Sequence, residues 1–227
     1  IMQGPISEVN LGKVDFGWNG AIAFLDRDGV LNYGSPNYIN SPEELEIIPG
    51  AKEAIADLRK LGYKIAITTN QSAIMRGLWG VDTIHAIHKK LQDEIGIIDV
   101  VMTCPHRNRD QCQCRKPKPG MLNRASEIIR GKVHNLPNWW KDKPKPHHHL
   151  DLMVGDRDSD MRAGWAVGAR LFQVDESTTG LIPSQQNQHS WRSPTAPTQC
   201  GVVGLQDRAE NQSPAKACHD VTLPESS

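Results

Sequence analysis

The sequence has no excess of charge of either sign. Of its 227 residues, 26 are lysine or arginine and 26 are aspartate or glutamate, so the formal net charge is zero. This balance argues against a basic protein that lies along nucleic acid and against an acidic disordered chain. We therefore predict that the protein has no nucleic-acid partner.

Long apolar runs are also lacking, and the first residues do not predict a signal peptide. Hydrophobic residues make up 38% of the chain, and no run approaches the roughly 20 apolar residues that a membrane helix needs. Residues 1–10 lack the basic start and apolar core of a signal peptide. We expect a soluble, cytoplasmic protein with no membrane partner, and we expect a monomer.

Cysteines are few, and their number is odd. There are five, which argues against a closed disulfide framework. Cys104, Cys112 and Cys114 lie close together in the sequence, with His106 among them. Three thiolates and one imidazole satisfy tetrahedral zinc and leave no position open for water. The spacing therefore predicts a structural zinc ion, Zn²⁺, held by a loop in a reducing compartment.

The composition changes near residue 180. Residues 181–227 contain five prolines among polar residues, and such a stretch cannot bury enough apolar surface to offset its ordering entropy. We predict a disordered tail there, in which Cys200 and Cys218 are thiols without a role. Residues 1–20 are expected to be an N-terminal extension. Residues 131–150, dense in proline and lysine, are expected to be a surface insertion.

Between these segments, short apolar runs alternate with amphipathic patterns. The runs predict strands at residues 21–25, 64–68, 100–103, 152–154 and 170–174. Apolar residues at helical spacing predict helices at residues 51–61, 81–95, 121–129 and 160–167. Continuous apolar strands are typical of parallel sheets that are covered on both faces. The predicted fold class is α/β, a doubly wound (Rossmann-like), mostly parallel sheet of about five strands with helices on both faces.

Two aspartates follow the first predicted strand. Asp26 and Asp28 flank a single residue, and a turn at Gly29 can bring both carboxylates toward one cavity. Two close carboxylates repel each other unless a cation or a proton lies between them, and Mg²⁺ prefers such oxygen ligands. One carboxylate could then act as a nucleophile while the other carries a proton. Taken alone, the motif would more often be a capping turn.

Further polar residues follow the other predicted strands. Thr69 and Asn70 come after the second strand, in a turn that could bind a phosphate through a hydroxyl and backbone N–H groups. Lys116 could neutralise carboxylates and phosphoryl oxygens. Asp156 and Asp160 follow the fourth strand as further ligands or supports for a hard cation. In a doubly wound sheet, ligands bind beyond the carboxyl ends of the strands, where these residues fall.

In this order, the motifs resemble those of the haloacid dehalogenase superfamily of phosphatases. The resemblance implies a phosphatase domain over residues 21–180. It implies that Asp26 is the nucleophile, which forms an aspartyl-phosphate, and that Asp28 is the general acid and base. Lys116 would stabilise the charged cluster and complete the catalytic set.

The same resemblance assigns the binding roles. Thr69 would bind the phosphate, with Asn70 beside it. Asp160 would support the charged cluster from the first turn of its helix. The implied ligands of Mg²⁺ are Asp26, the backbone carbonyl of Asp28, and Asp156.

The cysteine loop narrows the resemblance. The runs Cys-Pro-His at residues 104–106 and Cys-Gln-Cys-Arg-Lys at residues 112–116 are similar to those of the zinc-loop subgroup. That subgroup comprises D-glycero-D-manno-heptose 1,7-bisphosphate phosphatases and histidinol-phosphate phosphatases. The short interval between Asp26 and Thr69 leaves no room for a separate cap domain. In the subgroup, Arg115 and Arg157 would contact a distal phosphate or hydroxyl groups, for which the arginine fork is suited.

The predicted function is therefore Mg²⁺-dependent hydrolysis of a small phosphorylated metabolite. The heptose bisphosphate is favoured because residues 119–122 look more like the heptose branch. The alternatives are a histidinol-phosphate phosphatase, a non-catalytic zinc-stabilised binding module, and an enzyme that removes end phosphates from nucleic acid. His85 and His88, on the predicted helix at residues 81–95, are interpreted as solvated side chains.

Overall fold

The helices and strands of the computed structural model lie within residues 4–13, 17–131 and 143–174, which are the residues that it describes. The strands are β1 (Ile6–Val9), β2 (Ile22–Leu25), β3 (Lys64–Asn70), β4 (Val100–Cys104), β5 (Leu152–Gly155) and β6 (Arg170–Gln173). The helices are α1 (Ala51–Lys60), α2 (Val81–Ile95), α3 (Gly120–Arg130) and α4 (Asp158–Ala166). Short 3₁₀ turns lie at Pro42–Glu44 and Asn108–Asp110.

The strands form one sheet in the order β1-β4-β3-β2-β5-β6. Strand β1 pairs with β4 in antiparallel orientation, and every other neighbouring pair is parallel. This sheet confirms the predicted fold class, with all five predicted strands present. The sixth, β1, lies in the segment that was predicted to be an extension. Because it is an edge strand of only four residues, none of them fully buried, its apolar pattern is too weak to be predicted.

Helices cover both faces of the sheet. Leu25 of β2 lies in a core cluster with residues of α1 and α2, such as Ile87. Its neighbour Phe24 points to the opposite face and lies in a second cluster with residues of α3 and α4, such as Met121. Successive side chains of a strand point to opposite faces, so β2 is buried on both sides. Packing on both faces therefore fixes the position of β2, which Asp26 directly follows.

The observed helices differ from the predicted ones mainly at their ends. Helix α1 ends at Lys60, and Leu61, predicted to lie on its apolar face, is 40% exposed. The chain turns at Gly62, which adopts a φ of 84° that favours glycine. Helix α4 begins at Asp158, two residues before its predicted start.

The segment between β2 and β3 contains one 3₁₀ turn and helix α1, so the described residues there form no separate cap domain, as predicted. Of the predicted insertion, residues 132–142 lie outside the described residues, and so do the predicted tail and its Cys200 and Cys218. Within the part of the chain that the structure describes, no helix is both long and apolar enough to span a membrane.

Candidate active site

The carboxyl ends of three adjacent strands converge at one edge of the sheet. Asp26 directly follows β2, and its backbone N–H donates to the carbonyl of Val154 at 2.9 Å, which continues the parallel pairing of β2 with β5. Thr69 lies at the end of β3 and Asp156 directly follows β5. Since β2 lies between β3 and β5, the polar residues that follow these strands are brought together.

Three buried carboxylates and one ammonium form the centre of this edge. Asp26, Asp156 and Asp160 each offer a carboxylate oxygen, and these atoms all lie within 4.8 Å of one another. Lys116 Nζ lies 2.9 Å from Asp26 Oδ1 and 2.6 Å from Asp160 Oδ1. It also donates to the carbonyl of Thr68 at 2.6 Å. The acidic side chains therefore outnumber the lysine that partly neutralises them.

The chemistry of this cluster fits a hard divalent cation. Burial, opposed by the charge of Lys116, raises the pKa of Asp26 to about 7. Burial and the charge of Asp160 raise the pKa of Asp156 to about 6. Both carboxylate oxygens of Asp156 are buried without a hydrogen-bond partner among the described residues. Orphaned carboxylate oxygens of this kind are typical ligands of Mg²⁺, and the carboxylate of Asp28 is not one of this group.

Asp160 supports the cluster from the first turn of α4. Its Oδ2 accepts a hydrogen bond from the backbone N–H of Arg157 at 3.1 Å, while its Oδ1 faces Lys116. Gly155 makes this position possible, because a Cβ there would lie 2.2 Å from the Cβ of Asp160. Asp160 thus contacts the lysine of the cluster, and the supporting role that the resemblance implied stays a prediction.

Asp28 is held by a separate set of donors. Its carboxylate accepts hydrogen bonds from Arg27 Nε at 2.9 Å and Arg27 Nη2 at 3.1 Å. Asn32 Nδ2 donates at 2.9 Å and Gln71 Nε2 at 2.8 Å. Burial favours a higher pKa for Asp28, but the charge of Arg27 and the hydrogen bonds outweigh it and lower the pKa below its ordinary value. Gly29, with a φ of 82°, provides the turn that the sequence predicts after this residue.

Arg27, Asn32 and Gln71 are not predicted from the sequence. An arginine between two aspartates indicates charge compensation but not burial, and Arg27 is fully buried. Asn32 and Gln71 reach Asp28 from a turn and from the end of β3, respectively. No spacing in the sequence indicates that they meet.

The last two residues of β3, which the sequence places after the strand, have two different contacts. Thr69 is buried, and its Oγ1 accepts a hydrogen bond from Gln71 Nε2 at 2.9 Å. The side chain of Asn70 pairs with the main chain of Lys116, donating to its carbonyl at 3.1 Å and accepting from its N–H at 3.1 Å. Asn70 therefore positions the lysine, while its assignment to the phosphate stays a prediction.

The two arginines predicted to contact substrate differ in exposure. Arg115 is partly buried, and its Nη1 donates to the carbonyl of His106 at 3.1 Å. The side chain of Arg157 is 69% exposed, and its Nε lies 3.5 Å from Asp156 Oδ2. Arg157 thus lies beside the carboxylate cluster with most of its side chain open to solvent.

A second cluster contains the four predicted zinc ligands. The ligand atoms of Cys104, His106, Cys112 and Cys114 all lie within 4.8 Å of one another. His106 Nδ1 lies 3.2 Å from Cys114 Sγ, and Cys104 Sγ lies 3.7 Å from Cys112 Sγ. A tetrahedral zinc ion with bonds of about 2.3 Å to sulfur and about 2.1 Å to nitrogen has edges of about 3.6–3.8 Å. The cluster is close to this size and could hold a metal ion.

The thiols of this cluster interact in a way that favours a cation. A hydrogen bond with Cys114 lowers the pKa of Cys104, and the same interaction raises the pKa of Cys114. Three thiolates this close together repel one another unless a positive ion lies among them. The donor set and its closed arrangement fit Zn²⁺.

One interpretation from the sequence is wrong. His85 is exposed, as expected, but His88 is fully buried. It lies on the face of α2 that also buries Ile84, Ile87 and Leu91. Its spacing of four residues from Ile84 and three from Leu91 is the signal that could have placed His88 in the interior.

The fold and the site define a class of enzyme. The model of a family described as haloacid dehalogenase-like hydrolase matches residues 30–168, and the chain belongs to this family. The chain is 38% identical to the D-glycero-β-D-manno-heptose-1,7-bisphosphate 7-phosphatase of Pseudomonas putida over 161 residues, which cover 67% of this chain and 81% of that one. It is 36% identical to the enzyme of the same description from Pseudomonas aeruginosa over 162 residues, which cover 68% and 80%.

A solved structure gives the same result. The D,D-heptose 1,7-bisphosphate phosphatase from B. bronchiseptica, complexed with magnesium and phosphate, is 32% identical. The match covers 67% of this chain and 79% of that chain with a TM-score of 0.56. The predicted enzyme class, a phosphatase of this family, is confirmed.

Proposed function

We propose that this enzyme removes the 7-phosphate from D-glycero-D-manno-heptose 1,7-bisphosphate with Mg²⁺ as its cofactor. The observation that carries the proposal is the buried group of Asp26, Asp156, Asp160 and Lys116 at the strand ends, in a chain whose relatives are described as phosphatases of this substrate. The substrate class, a small phosphorylated sugar, follows from those relatives.

In the first proposed step, the Asp26 carboxylate attacks phosphorus. A bond forms between its oxygen and phosphorus, and the bond from phosphorus to the sugar oxygen breaks. The leaving oxygen takes a proton from Asp28. The ammonium of Lys116, 2.9 Å from Asp26 Oδ1, orients the nucleophile and offsets charge on the phosphoryl group. Thr69 would hold a phosphoryl oxygen at the end of β3.

In the second proposed step, water attacks the aspartyl-phosphate. Asp28 takes a proton from that water, and the bond between phosphorus and Asp26 breaks to release inorganic phosphate. The donors around Asp28 favour its ionised form, which accepts the proton in this step. The proton gained here is the one that Asp28 gives to the leaving oxygen of the next substrate molecule. Bound by Asp26, Asp156 and the carbonyl of Asp28, Mg²⁺ would neutralise negative charge in the cluster and on the phosphoryl group.

The zinc loop and the arginines have separate proposed roles. Zn²⁺ at the four Cys/His ligands would be structural, because those ligands leave no open position for water. Arg157 and Arg115 would contact the second phosphate of the substrate, since a guanidinium matches phosphate geometry. The cytoplasm is the proposed location, because thiolate ligands persist in a reducing compartment.

The test is phosphate release by the zinc-loaded protein with Mg²⁺. Both anomers of the heptose bisphosphate, histidinol phosphate and a panel of other sugar phosphates are compared by kcat/KM. We expect one heptose bisphosphate anomer to exceed histidinol phosphate by at least about tenfold, the scale that a pocket gains from a few matched contacts.

Two results would contradict this proposal. A higher kcat/KM for histidinol phosphate would assign the enzyme to the alternative branch. No release from any phosphomonoester would leave the non-catalytic binding module as the remaining interpretation. Omitting Mg²⁺ from the same assay, after exchange of the zinc-loaded protein into magnesium-free buffer, tests the cofactor and is expected to abolish release.

A further inference from the structure

A buried chain of side chains leads from the edge strand β1 to Asp28. Arg27 holds both oxygens of Asp28 with Nε and Nη2. Its Nη1 lies 3.4 Å from His88 Nε2. On the other side of the imidazole, His88 Nδ1 lies 2.6 Å from a carboxylate oxygen of Glu8. The chain therefore runs Glu8, His88, Arg27, Asp28, and it joins β1, α2 and the end of β2.

The chemistry of the end groups fixes the direction of these hydrogen bonds. A guanidinium can only donate, so Nε2 of His88 must accept from Arg27. An ionised carboxylate can only accept, so Nδ1 of His88 must carry the proton that it donates to Glu8. His88 is therefore a neutral imidazole in the Nδ1–H form. Burial and the charge of Arg27 also favour the neutral ring, since they lower the pKa of His88 against the effect of Glu8.

The burial of this chain is unusual for a purely structural contact. Arg27 and His88 are fully buried, whereas the side chain of Glu8 is 20% exposed. A buried guanidinium loses its hydration, and apolar side chains of similar size often stabilise a core equally well. An apolar side chain could not donate the two hydrogen bonds that Arg27 gives to Asp28, the residue that transfers the proton in the proposed reaction.

We propose that Glu8, His88 and Arg27 are positioning residues that fix the carboxylate of Asp28 for proton transfer. This inference rests on the proposed function, because it assigns Asp28 a proton to transfer. Glu8 sets the orientation of the imidazole, the imidazole receives Arg27 Nη1, and the two remaining guanidinium nitrogens hold Asp28. Of these three residues, only Arg27 touches Asp28.

The test uses the dependence of the rate on the leaving group. A sugar oxygen needs a proton as it leaves, whereas p-nitrophenolate leaves without one. We compare kcat/KM, which reports on the first phosphoryl transfer, for heptose bisphosphate and for p-nitrophenyl phosphate. Glu8→Ala is expected to lower the value for the sugar phosphate about tenfold, a fraction of the 10²–10⁴ that a positioned acid contributes. The value for p-nitrophenyl phosphate is expected to change less than about twofold.

Reference and control variants make this pattern specific. Asp28→Asn is expected to lower kcat/KM for the sugar phosphate more than Glu8→Ala does, again with a smaller change for p-nitrophenyl phosphate. Glu8→Gln keeps an oxygen that can accept from His88 and is expected to restore most of the rate. Ser7→Ala, at the exposed neighbour of Glu8 on β1, and His85→Ala, at an exposed position of α2, are expected to match the wild type on both substrates.

A second measurement does not depend on activity. Long-range ¹H–¹⁵N correlation spectra of the imidazole rings, with His88 assigned by comparison with His88→Gln, are expected to show a neutral Nδ1–H form. The Nε2–H form would overturn the inference, because that nitrogen could not then accept from Arg27. Equal losses on the two substrates, or no loss in Glu8→Ala, would overturn it as well. A wild type inactive on both substrates would instead refute the proposed function, and the inference would fall with it.

Discussion

The carboxylate cluster and the Cys/His cluster are assembled in opposite ways. The acidic residues come from chain positions that are far apart, Asp26 after β2 and Asp156 after β5, and only the sheet brings them together. The four Cys/His ligands come from residues 104–114 at the end of a single strand. Both clusters carry excess negative charge. Lys116 does not balance the three carboxylates, and no cation of the Cys/His cluster balances its cysteines when all three are thiolates.

This difference indicates what an ion would do in each place. The carboxylates are fixed by buried strands and by Lys116, so a cation there adds charge rather than structure. The loop has polar residues between its ligands, at positions 107–111, and lacks a core of its own. An ion there would supply the order that the loop cannot obtain from packing. Lys116 links the two, because it lies two residues after Cys114 and reaches into the carboxylate cluster.

Zinc removal is expected to have the largest effect, and it acts first on the Cys/His loop. Zinc binding to such ligands contributes on the order of 10 kcal/mol in small domains, so Cys104→Ser is expected to lower the thermal unfolding midpoint by about 20 °C or more. Zinc content and calorimetry measure the two quantities. Activity is expected to fall as well, because Lys116 loses its support.

The matched control is Cys200→Ser, at a cysteine to which the sequence assigns no role. It is expected to keep the zinc and the unfolding midpoint of the wild type. A Cys104→Ser protein with an unchanged midpoint would show that packing, rather than an ion, orders the loop.

Replacing the proposed nucleophile is expected to have the next largest effect and to affect only the carboxylate cluster. Asp26→Asn keeps the size of the side chain but cannot form the aspartyl-phosphate, so phosphate release is expected to fall by at least about 10³-fold, or roughly 4 kcal/mol. Zinc content and the circular dichroism spectrum are expected to stay unchanged. Asp158→Asn, at an exposed residue of α4, is the control and should remain active. Residual activity within tenfold of the wild type would exclude Asp26 as the nucleophile.

A smaller effect is expected on the pH dependence of the stabilisation by Mg²⁺. Without Mg²⁺, Asp26 and Asp156 have raised pKa values of about 7 and about 6. The folded protein then binds protons more tightly than the unfolded chain, so this contribution to stability falls as the pH rises from about 4 to 7. Mg²⁺ competes with those protons. Its stabilising effect is therefore expected to be about 1–2 kcal/mol larger at pH 8 than at pH 5.

Thermal unfolding with and without Mg²⁺ at the two pH values checks this effect. The difference between the two curves removes the contribution of groups outside the cluster, such as His88. Asp26→Asn is expected to reduce the pH dependence of the Mg²⁺ effect. An equal gain at pH 5 and pH 8 would mean that the cation binds elsewhere.

The parts of the fold and site that the sequence predicts are those with a local signal. Apolar runs predict β2 to β6, because buried parallel strands are apolar on both faces. Asp26, Thr69 and Asp156 are predictable because each directly follows or ends such a run. The cysteine spacing likewise predicts a cluster, since its ligands lie within one loop.

The parts that the sequence does not predict depend on long-range pairing. The burial of Arg27 has no signal in the sequence, and the contact of His88 with it depends on how α2 packs against the sheet. Asn70 pairs with the main chain of Lys116 only because the Cys/His loop brings residue 116 back to the end of β3. Strand β1 becomes recognisable only through its register with β4.

Strand β1 also has a consequence for how the protein should be handled. Its pairing covers the backbone groups of β4, a buried strand that would otherwise form the edge of the sheet and could pair with strands of other molecules. A shortened version starting after Asn10 would keep the phosphatase motifs but expose that border to self-association. Affinity tags and fusion partners are therefore better joined ahead of these residues than substituted for them.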